Sequence, residues 1–393
     1  MNVAPAAAEL SEPSLVRARV ALTVIFFANG LAIGAWAAAI PQIKALFGLS
    51  DGALSIVLLS AGLGGLAAMP VAGVLPPRVG GTGRTLRATG PLLAILLAAL
   101  PLMHLLSEGI GPLAVCAFLF GFVNIVVDVP MNAHASVVEM GWKDAIMSSF
   151  HAAWSAGGLV GSAIGGLLIS LGAGPASQLG FEAAIVLALA VGASLQIGVG
   201  DTRAASKILA LPERKLIALG LIALLAVFAE GSVTDWSAVY LGTEIGAASG
   251  VAATGFSAYA LMMVVGRLVG DAVVSRLGRT RVIAYGAGLL FVGILLVVGP
   301  ATQWATILGF CLVGLGVANM VPAAFSASAA AASSPSLGIA MSATMAYTPL
   351  LLGPPVFGAV ATVSSLRAAF GMLLVAAVAI AALALTQARD SRG

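Results

Sequence analysis

Residues 373–385 read Leu-Leu-Val-Ala-Ala-Val-Ala-Ile-Ala-Ala-Leu-Ala-Leu. Thirteen apolar side chains in a row leave no polar stripe, which the surface helix of an aqueous globule needs. Nor do they alternate with polar residues, as the strands of an outer-membrane barrel would. A second such run covers Leu92–Leu102. The whole chain follows suit: of 393 residues 60% are apolar and 8% charged, and the 48 glycines (about 12%) bring the apolar-plus-glycine share near 72%. An ordinary soluble domain has roughly 45–50% apolar and about 25% charged residues. This composition excludes a soluble enzyme, a disordered chain and a disulfide scaffold, and points to an all-α polytopic membrane protein. About 236 apolar residues, 60% of 393, divided by roughly 20 per spanning helix, give about twelve spans.

Those spans are predicted at 18–41, 52–76, 88–106, 112–138, 148–171, 180–199, 215–241, 250–275, 282–300, 304–332, 339–362 and 367–387. Trp36-Ala37-Ala38-Ala39 resembles a signal-peptide cleavage site, but the run before it is too long and Glu9 and Glu12 stand where positive charge belongs. An even number of spans puts both termini on one side. With that side cytoplasmic, Arg17, Arg19, Arg78, Arg84, Arg87, Lys143, Arg203, Lys207, Arg214, Lys215, Arg276, Arg279, Arg281, Arg389 and Arg392 face the cytoplasm, 15 of the 18 basic residues. Only Lys44 and Arg367 fall outside, with Arg267 inside span 8. The positive-inside rule then predicts a bacterial-type inner membrane protein with cytoplasmic termini. The expected organisation is a tail at 1–17, a six-helix bundle at 18–199, a cytoplasmic linker at 200–214, a second six-helix bundle at 215–387 and a tail at 388–393.

The two halves repeat each other. Phe27-Ala28-Asn29-Gly30 matches Phe228-Ala229-Glu230-Gly231, and Trp36 matches Trp236 after a one-residue slip. Pro130 and Ser136 match Pro322 and Ser328; Gly161 and Gly166 match Gly353 and Gly358; Arg78-Val79-Gly80 matches Arg276-Leu277-Gly278. Repeated halves are how many secondary transporters build a midplane site that opens alternately to either side.

With these residues in view, the chain resembles the major facilitator superfamily over nearly its whole length. That family's loop 2–3 signature is Gly-x-x-x-Asp-Arg-x-Gly-Arg/Lys. Here Gly73-Val74-Leu75-Pro76-Pro77-Arg78-Val79-Gly80 and Arg84 stand in its place, with Pro77 where the acid belongs. The second copy runs Gly266-Arg267-Leu268-Val269-Gly270-Asp271, then Ser275-Arg276-Leu277-Gly278-Arg279. Asp128-Val-Pro-Met-Asn132-Ala-His134, Ser148-Ser-Phe-His151, Asp235-Trp-Ser-Ala-Val-Tyr240 and Gly353-Pro354-Pro355 resemble the MosC/YbjJ-like branch. That branch has been linked to rhizopine, an inositol-type compound, and is similar to sugar symporters. The resemblance implies a major facilitator fold, twelve helices in two pseudo-symmetric halves, with spans 1, 4, 7 and 10 lining a central cavity.

Polar side chains at bilayer depth are costly and therefore informative. Spans 3, 6, 9 and 12 carry few, mainly His104, Gln196 and Tyr285, whereas spans 1, 4, 7 and 10 hold Asn29, Asn124, Asp128, Asn132, His134, Glu230, Asp235 and Asn319. Asn124, Asp128, Asn132 and Ser136 recur every four residues and share one helix face. They line a cavity or form a polar seam to a neighbouring helix. Glu230 lies near the midplane with no Lys or Arg at comparable depth in any span, so it is a candidate proton carrier, followed by Asp128 and Asp235. His134 and His151 are either proton relays or packing residues. Trp36, Trp154 and Tyr347, with Asn29, Asn124, Asn132, His151 and Asn319, are the candidate cavity residues. Trp236 and Tyr240, near a span end, are expected to be interfacial anchors. Arg78, Arg276, Gly161, Gly353 and Pro354 are assigned to gating and packing, and Arg267 with Asp271, one turn apart, to a structural ion pair or gate latch at the cytoplasmic end of span 8.

Three scattered histidines and the apolar settings of Cys116 and Cys311 give no metal spacing and no disulfide framework. A net charge of +3 suggests no nucleic acid. The sequence predicts no cofactor and no enzyme activity. It predicts a monomeric, proton-coupled transporter of a small, largely uncharged polar solute, sugar or cyclitol in type, with protons and the bilayer as its other partners. An exporter of drugs or metabolites is the alternative, since the glycines at 157, 161 and 165 resemble an antiporter signature with Ser162 in place of its proline. A receptor or scaffold would need a soluble domain or longer tails.

Overall fold

The computed structural model describes residues 12–107, 109–142, 146–197, 216–331 and 335–390. The expected linker at 200–214, Lys143 and Lys215 lie outside the described residues, as do most of the tail at 1–17 and the last three residues. Among the described residues all regular structure is helical: α1 (Glu12–Leu46), α2 (Asp51–Val79), α3 (Thr82–Ala99) with a 3-10 turn (Leu100–Leu105), α4 (Gly111–Met140), α5 (Met147–Ser170) and α6 (Pro175–Ser194). There follow α7 (Ile217–Thr243), α8 (Ser249–Ala252), α9 (Thr254–Leu277), α10 (Arg279–Val298), α11 (Gln303–Val317), α12 (Met320–Ala331), α13 (Pro335–Ala346), α14 (Thr348–Val363) and α15 (Leu366–Asp390).

Among the described residues, eleven stretches are long and apolar enough to cross a membrane, and Leu352–Val363 is a shorter apolar helix. The expected span at 339–362 is split: α13 and α14 meet at a turn on Tyr347. Pro349 lies in the first turn of α14, where its missing N–H costs nothing, but a continuous helix would need that N–H for the carbonyl of Met345. Proline acts differently at the repeat-matched positions. Helix α4 runs unbroken through Pro130, whereas a turn at Ala318–Asn319 parts α11 from α12 just ahead of Pro322.

The quoted stretch 373–385 shows how an all-apolar helix is used. Leu373, Ala377, Ile380 and Ala384 are buried at helical spacing, while Val375, Val378 and Leu385 are exposed. One face packs on protein and the other is left for lipid, so both must be apolar.

The chain divides into two compact units, Met1–Gly48 with Ser60–Ser206, and Leu49–Leu59 with Lys207–Gly393. Residues 49–59, which open α2, thus group with the second unit, where Ser55 meets Gly358 of α14. In the first unit α1 and α5 pack backbone to backbone. A Cβ on Gly30 would strike the carbonyl of Trp154, and Cβ atoms on Gly157 and Gly161 would strike those of Phe27 and Leu31. Small residues are what permit such approach. In the second unit α10 and α11 are joined the same way through Gly286, Gly293, Gly309 and Gly316.

An aromatic core also fills the second unit. Trp236 stacks on Phe357 with ring centroids 5.2 Å apart, and Tyr240 meets Phe370 edge-on at 5.0 Å. This corrects the expectation of interfacial anchors: both residues are fully buried, and Tyr240 Oη donates to the carbonyl of Val297 at 2.8 Å. A hydroxyl that finds a backbone acceptor inside the protein has no need of the membrane surface.

Candidate functional site

Each unit holds its own polar cluster. In the first, Asn29 of α1 is buried between α4 and α5. Trp154 Nε1 donates to Asn29 Oδ1 at 2.8 Å, and Asn29 Nδ2 donates to Asn124 Oδ1 at 2.8 Å. The indole nitrogen can only donate, so it fixes the orientation of the Asn29 amide and, through it, that of Asn124. Three helices are tied by neutral groups alone. Trp154 and Asn124 are half-buried.

One turn along α4, Asn132 Nδ2 donates to the Asp128 carbonyl at 2.9 Å and to Asp128 Oδ1 at 3.2 Å. Asp128 and Asn132 thus bond to each other on their own helix, and of these side chains Asn124 is the one bonded across to another helix. Ser136 is exposed and bonds to Ala133 O. Trp36 takes no part in this cluster. It is buried against Phe120, ring centroids 6.3 Å apart. His151 is half-buried and lies edge-on to Phe26 at 5.5 Å. His134 is buried with Nδ1 2.7 Å from Thr82 Oγ1.

In the second unit Glu230 of α7 faces Arg267 of α9, Oε1 to Nη2 at 3.8 Å. This corrects the reading of Glu230 as remote from any cation. Helix α7 begins at Ile217 and α9 ends at Leu277. In helices that run in opposite directions, the depths of Glu230 and Arg267 counted from those two ends differ by about three residues, roughly 4.5 Å of height. An arginine stem spans that. Depth counted from span ends missed the contact because it ignored side-chain length. Arg267 was expected to pair with Asp271, whose side chain lies outside the described residues. Nearby, the Tyr259 hydroxyl is buried with no hydrogen-bond partner among the described residues. Asp235 is half-buried and likewise bonded to no described group. Asn319 sits at the α11–α12 turn and donates Nδ2 to Gly266 O at 2.9 Å, laid against Gly270. Tyr347 is half-buried at its turn, Gly353 lies beside the Phe228 ring, and Pro354 is buried. Arg78 and Arg276 are exposed at the ends of α2 and α9. The side chain of Pro77 lies outside the described residues.

Sequence reasoning passed over one pair. Gln178 and Glu182 of α6 are both 0% exposed; Glu182 falls in the span expected at 180–199, read as nearly free of polar groups, and Gln178 lies just before it. The signal was available: a carboxyl one turn from an amide inside an apolar run.

Over 374 residues, 94% of this chain and 96% of the relative, the sequence is 35% identical to an uncharacterised MFS-type transporter of Yersinia pestis. The chain belongs to the major facilitator superfamily. Within that superfamily it is also 34% identical to an uncharacterised transporter of Sinorhizobium fredii over 91% of this chain and 95% of that one. It is 27% identical to the membrane protein MosC of Rhizobium meliloti, over 91% of this chain and 86% of that one. Its fold is that of solved transporters: the nucleoside transporter NupG (TM-score 0.70, 15% identity, 93% of this chain and 97% of that one) and a bacterial homologue of the human lysosomal transporter Spinster (TM-score 0.74, 14% identity, 97% and 98%). No family model matches the chain. Its relatives are membrane transporters and not enzymes, and this chain is a multi-pass membrane transporter of the same superfamily.

Proposed function

We propose that the protein moves a small, largely uncharged polar solute of the sugar or cyclitol type across the inner membrane by alternating access, coupled to protons, with both termini in the cytoplasm. The observation that carries the substrate class is the Trp154–Asn29–Asn124 chain. It offers amide and indole groups beside a flat aromatic face and no fixed charge. Hydroxyls can exchange hydrogen bonds with such amides, and the apolar face of a ring can lie on an indole. The proton coupling is assigned to Glu230. Protonating its carboxyl would dissolve the contact with Arg267, so that gain or loss of the proton would bias one helix arrangement against another.

The test is uptake of labelled sugars and cyclitols into proteoliposomes, with and without an imposed pH gradient. Accumulation of at least one such solute that collapses with the gradient is expected. Transport confined to charged or strongly apolar compounds would refute the substrate class, and movement only out of right-side-out vesicles would favour the exporter reading.

A further inference from the structure

Glu182 lies two turns beyond Pro175, where α6 begins, and so well inside the helix. It is fully buried, as is Gln178 one turn earlier. Gln178 Nε2 donates to Glu182 Oε2 at 2.8 Å and to the Ala35 carbonyl of α1 at 3.1 Å. Two acceptors on one nitrogen fix the amide's orientation. Gln178 Oε1 and Glu182 Oε1 are then left as two buried acceptors, and neither has a donor among the described residues.

No described cation answers this carboxyl. Helix α6 packs on α1, α3, α5 and the 3-10 turn, and the ionisable groups of those elements are engaged or distant. Arg19 covers the Trp142 ring, Arg84 bonds to Val79 O, Arg87 bonds to Ser194 O and Ile197 O, His104 bonds to Pro101 O and His151 lies against Phe26. Lys44 and Arg17 stand more than two turns and five turns along α1 from Ala35. A carboxylate here would be a buried charge with the Gln178 amide N–H and the Gly165 backbone as its hydrogen-bond partners and no counter-ion among the described residues, the situation proteins relieve by adding a proton. Among the described residues no three His, Cys, Asp or Glu side chains gather here to hold a metal ion.

We propose that Glu182 is a proton-binding site inside the first unit, separate from the Glu230–Arg267 pair. In this arrangement its carboxyl carries the proton and supplies the donor that the two orphaned oxygens lack. The proton can leave to water only when α6 parts from α1 and α5, so its release reports opening of that seam.

The test needs no knowledge of the transported solute. Infrared difference spectra of the full chain in lipid nanodiscs at neutral pH compare wild type with Glu182→Gln and with Gln178→Leu. A carboxylic-acid C=O band is expected to vanish in Glu182→Gln and to shift in Gln178→Leu, which removes the amide N–H. Replacing sodium by choline should move neither the band nor the melting temperature. Loss of a carboxylate band in Glu182→Gln instead, or an acid band that neither variant alters, would overturn the proposal. A sodium-dependent melting temperature abolished by Glu182→Gln would make this a metal site and overturn it equally. Should Glu182→Gln fail to fold, the Gln178→Leu shift decides.

Discussion

Glu230 Oε1 and Arg267 Nη2 stand 3.8 Å apart across α7 and α9, with Arg267 19% and Glu230 24% exposed. That is a charge contact longer than a hydrogen bond, between two partly exposed groups. Its repeat partner Asn29 makes two hydrogen bonds with neutral groups instead. Glu230→Gln is therefore expected to retain solute exchange and to lose accumulation driven by a pH gradient. In thermal unfolding, a cycle of Glu230→Gln, Arg267→Gln and the double variant should show a coupling of about 1 kcal/mol. A Glu230→Gln variant that still concentrates solute would move the coupling proton to another acid, Asp128 first.

Asp128→Asn should weaken transport while the protein folds normally. The bond from Asn132 to the Asp128 carbonyl survives the change, and only the weaker one to the side chain is altered. Uptake and melting temperature measured on the same preparation separate the two effects; unaltered uptake would reduce this helix face to packing.

Trp154→Phe keeps the aromatic face but removes the indole N–H, leaving the buried Asn29 Oδ1 without its donor. A cost of about 1–3 kcal/mol is expected, together with weaker solute binding. Thermal unfolding and solute titration check both.

The repeat-matched glycines should differ. A Cβ on Gly161 would collide with the Leu31 carbonyl, which cannot move without shifting α1. At Gly353 it would meet the Phe228 ring at 3.6 Å, an ordinary contact. Gly161→Ala is expected to lose about 1–3 kcal/mol by overpacking, and Gly353→Ala almost nothing. Equal melting temperatures would show that α1 and α5 are less closely joined.

In a background without Cys116 and Cys311, cysteines at Ala205 and Asp390 should resist an impermeant thiol reagent applied to intact cells, and one at Ile245 should react. Reaction at 205 from outside would reverse the orientation drawn from the basic residues.

What the sequence determined by itself is what depends on solvent and on one helix at a time. The run at 373–385 demanded hydrocarbon, the repeat at Asn29 and Glu230 announced two related halves, and the four-residue spacing of Asn124, Asp128 and Asn132 put them on one face. Only tertiary structure decided which groups meet. Whether Glu230 has a cation depends on the reach of an arginine carried by another helix. Whether Tyr240 sits at an interface depends on an acceptor at Val297. Whether Glu182 matters depends on the Gln178 amide beside it and on the Ala35 carbonyl of another helix that shares that amide. A linear pattern records which face a residue is on; a side chain's partner is set by the distance and angle between two helices, and those are fixed by all the small residues that let the helices approach.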